Sequence, residues 1–198
     1  HLNQWGFSVR GYDHFGHGLS TGVRGGLLSD NQLLDDLDFV IAQTRQNIPT
    51  NEKLVLVGHS MGGYVAARTA VLEPDKVAGL LLVDPVMMTR DAYAVEPENL
   101  IGSPTDHPVA RRRNAWESAE QMTAHFANRE PYARWRSDVL ADYCLHGLDP
   151  AADGVGLELA CPPVLEASAY MGSWRNNPYG WIGEIKCPTT VLRARNAE

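Results

Sequence analysis

Ser60 stands between two glycines in Gly58-His59-Ser60-Met61-Gly62, and Gly63 follows at once. An aliphatic run, Leu54 to Val57, leads in, and Tyr64-Val65-Ala66-Ala67 leads out with helix-forming composition. A serine hydroxyl is a weak nucleophile at its free pKa; it needs a base, and the base needs an orienting carboxylate. It also needs N–H donors for the oxyanion formed when it adds to a carbonyl. A sharp strand-to-helix turn meets part of this demand by geometry, straining the serine backbone and lifting its hydroxyl above the sheet edge. Side chains two residues either way would strike neighbouring backbone, which calls for glycine at 58 and 62, and Gly63 allows close helix–sheet packing. A helix starting at Met61 aims its unpaired N–H groups and positive dipole end at the same point, so the Met61 N–H is a candidate oxyanion donor. The competing reading is a glycine-rich turn with an incidental serine; the strand before it and the helix after it favour the nucleophile.

The elements that must position Ser60 follow from periodicity. Gly6 to Asp13 has strand composition, and "HFGHGLSTG" is a glycine-punctuated loop. Ser29-Asp30 can cap a helix in which Leu33, Leu34, Leu37, Val40, Ile41 and Thr44 recur at helical spacing, ending near Pro49. Lys53 to Gly58 reads as a buried strand, Met61 to Leu72 as a helix ending before Pro74, and Lys76 to Val83 as another aliphatic strand. Alternation of short apolar strands with crossover helices implies an α/β fold, a parallel sheet covered by helices on both faces. After Pro85 the pattern changes. Residues 90–108 are rich in Pro, Asp, Glu and Gly, and 111–128 and 131–146 read as helices without strand alternation. A strand returns at Pro188. The expected organisation is a core at 1–89, a helical cap insertion at 90–180 and a return to the sheet at 181–198.

Composition narrows the function classes. The 198 residues carry a net charge of −7, and Arg111-Arg112-Arg113 is the one basic cluster, which argues against a nucleic-acid or anionic-membrane surface. The longest apolar stretch, Val77 to Val83, suits a buried strand and is far too short to span a membrane. Three widely spaced cysteines, Cys144, Cys161 and Cys187, fit reduced thiols in a cytoplasmic protein better than a disulfide framework or a zinc site. The chain opens at His1 without an initiator Met and stops as a strand finishes, so both ends read as cut from a longer protein.

The segments "GYDHFGHGLSTGVRGG", "LLDDLDFVI" and "LVLVGHSMGGYVAARTAVLEPDKVAGLLLVDP" resemble the monoacylglycerol-lipase-like branch of the α/β-hydrolase superfamily. The resemblance covers Gly6 to about Pro85, and Pro188 onward by strand position alone. It implies an α/β-hydrolase fold, an ester or related acyl bond in a small-molecule substrate, no cofactor and no metal, and a Ser/acid/His triad in that chain order. One departure is that Phe15 replaces the arginine usual in the family's Asp-x-Arg-Gly-His-Gly loop, which bears on how that loop packs.

In the family the triad acid commonly follows the strand after the cap, where this chain has Ala197, with Glu198 one place beyond. In some members, haloalkane dehalogenases among them, the acid stands at the end of the strand after the nucleophile's helix, the place of Asp84. A carboxylate there lies in the crevice at the C-terminal ends of parallel strands, beside the serine. Asp84 is thus the first candidate and Glu198 the alternative; a loop-capping Asp before Pro85 is the structural reading. No histidine is a good base. His59 lies inside the elbow and turns away, His14 and His17 suit structural hydrogen bonds, and His107, His125 and His146 fall in the cap. The base is expected beyond Glu198, and the first oxyanion donor before His1.

Trp116, Trp135, Trp174 and Trp181, with Tyr132, Tyr143, Tyr170 and Tyr179, make the second half aromatic-rich. They suit either an apolar lid over Ser60 or, for most of them, the glue between cap helices. The activity expected is esterase- or lipase-like. Carbon–carbon bond or lactone hydrolysis on the same triad, and a non-catalytic binding protein that keeps the elbow, are the alternatives.

Overall fold

A computed structural model describes residues 2–194 of the chain. In chain order the helices and strands are α1 (Gln32–Gln46), β1 (Val55–His59), α2 (Met61–Leu72), β2 (Gly79–Val83), α3 (Pro97–Ile101), β3 (Ala115–Trp116) and α4 (Ala119–Phe126). Then follow α5 (Ser137–His146), β4 (Leu148–Pro150), β5 (Leu157–Leu159), α6 (Pro163–Arg175) and β6 (Thr189–Leu192). The described residues form two compact units, one running to Val95 and resuming at Ser173, the other Glu96–Gly172. Against boundaries read at 89 and 180, this division places Trp174 and Tyr179 with the sheet, where Trp181 was already expected.

In the first unit the sheet order is β1-β2-β6, all parallel, with His59 opposite Val83 and Val83 opposite Leu192. The α2 crossover makes β1 and β2 parallel, since such strands cannot be joined by a tight hairpin. Buried Leu56, Leu80 and Leu82 face Leu37 and Ile41 of α1 and Val65, Ala66 and Ala70 of α2 in one core. Each fully buried leucine or isoleucine there contributes about 1.5–3 kcal/mol. Alanines at 66, 67 and 70 let α2 lie close to the strands. Burial alternates along β1, and Val55 and Val57 are 53% and 56% exposed, so one face of this strand is covered among the described residues.

Three expectations change. Gly6 to Asp13 forms no strand: with no neighbour to pair with among the described residues, a β-rich composition gains no ladder, and Phe7 and Val9 stay exposed. Asn31 rather than Ser29 or Asp30 stands at the N-cap of α1, without a side-chain cap bond. The second unit is not purely helical. It adds a small antiparallel sheet, β3-β5-β4, to its helices. These strands run two or three residues, too short for an alternating pattern to register. Around them Trp116, Met122, Leu140, Cys144 and Leu159 form a separate buried core.

Candidate active site

The elbow is present at atomic detail. Ser60 has φ 53° and ψ −120°, a left-handed conformation that L residues adopt at a cost of about 1–3 kcal/mol. The strain is held by backbone bonds on both sides of the turn. The Ser60 N–H donates to the Val83 carbonyl at 3.0 Å, and the Ser60 carbonyl accepts from Val86 N–H at 3.1 Å and Gly63 N–H at 3.0 Å. A side chain at Gly58 would fall on the Gly62 carbonyl, and one at Gly63 would meet the Pro85 Cβ at 2.8 Å. The expectation for Gly62 is corrected: a Cβ there meets nothing within 4 Å, so the steric demand rests on Gly58 and Gly63. Met61 and Gly62 open α2, in the turn whose N–H groups have no acceptor one turn back.

Asp84 is the other described non-glycine residue with positive φ, at 42°. It follows Val83 as Ser60 follows His59, and those two residues are paired in the ladder, so the two strained positions sit side by side at the strand ends. The bonds from Val83 and Val86 to Ser60 bracket Asp84, and the Asp84 N–H donates to the Leu192 carbonyl at 2.7 Å. Its backbone is therefore pinned from both neighbouring strands. Ser60 and Asp84 line one cleft of about 630 Å³, walled further by Pro85, Met87, Met88 and Tyr179. Arg193 reaches the same cleft, its Nε 3.9 Å from Asp84 Oδ1, and both side chains are substantially exposed. That separation is too long for a hydrogen bond and leaves a weak, screened attraction. Sequence reasoning missed Met87, Met88 and Arg193; the first two follow Val86, just past the Asp84-Pro85 strand end. Glu198 lies outside the described residues.

None of the described histidines lines this cleft. His14 Nδ1 pairs with Asp36 Oδ2 at 3.1 Å, and its Nε2 lies 3.3 Å from the Tyr12 hydroxyl. Asp36 also accepts from the Phe15 N–H at 2.9 Å and from the Gln32 amide at 2.7 Å. Burial alone would raise the Asp36 carboxyl, but these donors hold it below its ordinary range. The glycine loop is thus tied to α1 through one carboxylate, and the Phe15 ring packs where a Gly22 side chain would stand. His17 contacts the Phe15 carbonyl, and His107 accepts from the Val109 N–H. His125 packs edge-on to Trp116 and Phe126; burial, then Arg129 and Arg113, lower its pKa.

In the second unit Phe126, Tyr132, Trp135 and Tyr143 contact one another at ring distances of 4.4–5.8 Å, and Trp116 joins through Phe126. Arg112 bonds the Tyr143 hydroxyl at 2.8 Å, the Tyr132 hydroxyl at 3.3 Å and Glu166 at 2.5 Å. These aromatics hold their own unit together. Among the described residues no cluster of His, Cys, Asp or Glu is placed to hold a metal ion, and no helix is long and apolar enough to cross a membrane. The three cysteines are free, with Cys144 buried and Cys161 exposed.

A parallel sheet, a crossover helix and a strained serine at the strand-to-helix turn define an α/β hydrolase. Residues 1–141 match the family model described as serine aminopeptidase, S33, and the chain belongs to that family. It is 37% identical over 82 residues to the peroxisomal membrane protein LPX1 of Saccharomyces cerevisiae, covering 41% of this chain and 20% of that protein. It is 31% identical over 92 residues to monoglyceride lipase of Homo sapiens, covering 43% of this chain and 28% of the lipase. The chain thus matches less than a third of either relative's length. The solved structure of the peroxisomal α/β-hydrolase Lpx1 of Saccharomyces cerevisiae superposes with a TM-score of 0.65 at 18% identity, over 87% of this chain and 47% of that one. The fold and the monoacylglycerol-lipase-like resemblance read from the motifs are both borne out.

Proposed function

We propose that this protein is a serine hydrolase of carboxylic esters, esterase- or lipase-like, working through an acyl-enzyme on Ser60. The observation that carries the proposal is the pair of strained residues, Ser60 and Asp84, side by side at parallel strand ends and facing one cleft. Similarity to a monoglyceride lipase supports an ester of a small molecule as the substrate.

In the proposed reaction Ser60 Oγ adds to the ester carbonyl while a histidine takes its proton. The Met61 N–H donates to the oxyanion, a contact worth about 2.7–4 kcal/mol in comparable sites. The tetrahedral adduct collapses, the C–O bond to the alcohol breaks, and the histidine returns the proton to the departing alkoxide. Water, deprotonated by the same imidazole, then attacks the acyl-Ser60 carbonyl and releases the acid. Asp84 holds the imidazole in the required tautomer and stabilises its charged form. The chain order Ser, acid, His puts that histidine after Asp84; since none of the described histidines lines the cleft, it is expected beyond Glu198, and no metal or cofactor takes part.

The test is hydrolysis of para-nitrophenyl acetate and butyrate by the full-length protein. Ser60→Ala should lower kcat/KM by at least about 10³-fold. Turnover by that variant at the parent rate would overturn the proposal.

A further inference from the structure

The segment that walls the Ser60 cleft is not a strand of the sheet and touches the sheet's core through Met87. From Met87 to Ala94 its regular structure is a short 3₁₀ turn, Arg90–Ala94, with no side-chain cap. Beyond Met87, two aromatic side chains from outside the segment, Tyr179 and Trp174, bind it, together with its own Tyr93. The Tyr179 hydroxyl donates to the Met88 carbonyl at 2.9 Å, across 91 residues of sequence. The Trp174 Nε1–H donates to the Ala92 carbonyl at 2.6 Å, across 82 residues. The Met88 N–H donates to the Tyr93 hydroxyl at 3.1 Å, and the Tyr93 and Tyr179 rings meet edge to face at 6.0 Å. The Arg90 guanidinium covers the Tyr179 ring at 4.5 Å. Tyr179 is itself fixed by a turn in which its N–H donates to Asn177 Oδ1 at 3.0 Å, next to buried Pro178.

Met88 is the focus of this arrangement. Both of its backbone polar groups are taken by tyrosine hydroxyls, and its residue lines the cleft together with Ser60, Met87 and Tyr179. Methionine side chains are flexible, so where they stand is set by the backbone that bears them. A wall made of two methionines on an irregular segment has a defined shape only if something outside the segment fixes it. We infer that Tyr179 is a positioning residue for substrate recognition, assisted by Trp174: it sets the Met87–Met88 wall against which the acyl group of the substrate lies. This deepens the ester-hydrolase reading and rests on it for the identity of the substrate. Tyr179 takes no part in bond making and acts through Met88.

The experiment compares Tyr179→Phe and Trp174→Phe with the parent full-length protein, using para-nitrophenyl acetate and butyrate. Loss of one such hydrogen bond corresponds to roughly a three- to tenfold change. Both variants should raise KM for the butyrate ester by that factor and leave KM for the acetate ester and both kcat values within about twofold. A structural role alone lowers the melting temperature and leaves the ratio of the two KM values unmoved, and that result overturns the inference. Hydrogen exchange gives a second readout that needs no turnover: the Met88 amide, whose own acceptor is the Tyr93 hydroxyl, should exchange faster in Tyr179→Phe because the segment is released at the Met88 carbonyl, and unchanged exchange overturns the inference too. Failure of the ester-hydrolase reading is distinct, because it shows as undiminished turnover in Ser60→Ala.

Discussion

Alanine at Gly62 and at Gly63 should have opposite effects, although the two glycines are adjacent and lie in the same helical turn. At Gly63 an added Cβ would stand 2.8 Å from the Pro85 Cβ and 3.1 Å from its Cα, so Pro85 must retreat by about half an ångström before the contact becomes an ordinary one. Pro85 has little freedom to do so. It lies between Asp84, tied to Leu192, and Val86, tied to the Ser60 carbonyl. Overpacking of this kind costs about 1–3 kcal/mol, against which the better helix propensity of alanine returns at most about 1 kcal/mol. With a net loss of up to about 2 kcal/mol, the melting temperature should fall by up to about 8 °C. Because Pro85 carries Asp84 with it, turnover should fall by about tenfold or more. At Gly62 the added methyl meets nothing within 4 Å, and alanine there should leave the melting temperature unchanged or slightly raised. Thermal unfolding of both variants beside the parent, with ester turnover on each, decides the matter. Equal destabilisation at the two positions, or greater loss at Gly62, would refute the packing argument and return the steric demand to the motif's outer glycine.

Other outcomes follow from the same geometry. Asp84→Asn should lower kcat by about 10³-fold or more while Glu198→Gln stays near the parent, measured by ester turnover; the reverse ranking would move the acid to Glu198. Asp36 has a depressed pKa when folded, so its contribution to stability is complete above about pH 3.9 and is lost as pH falls through the lower folded value. Urea denaturation should therefore show Asp36→Asn less stable than the parent at pH 7, with the gap narrowing below about pH 4. Arg112→Met removes the donor shared by Glu166, Tyr132 and Tyr143, and should destabilise by about 1–3 kcal/mol in thermal melts. In a double-mutant cycle Glu166→Gln should recover part of that loss.

What the sequence revealed is what local patterns encode. The Met61–Leu72 helix and the two strands around it were legible because aliphatic runs, glycines and helical spacing all act within a few residues. The glycine pattern around Ser60 identified the turn and the close contacts at Gly58 and Gly63, but it also assigned a steric demand to Gly62, where a Cβ meets nothing within 4 Å. That Asp84 adopts positive φ could not be read, because bonds from Ser60 and Leu192 impose it. Gly6 to Asp13 has strand composition without a partner among the described residues to make it one. Tyr179 and Trp174 were legible as aromatics of the second half, but their bonds to Met88 and Ala92 span 91 and 82 residues and leave no periodic trace. His14 read as a structural residue, while its partner Asp36 lies in a different element.

The central claim, a nucleophilic hydroxyl at Ser60, meets its most direct test in covalent labelling. The full-length protein is treated with a fluorophosphonate, and the modified peptide is mapped by mass spectrometry. The account predicts one adduct, on Ser60, abolished in Ser60→Ala and strongly slowed in Asp84→Asn. An unmodified Ser60 under conditions that label a known serine hydrolase, or a reactive residue elsewhere, would contradict it.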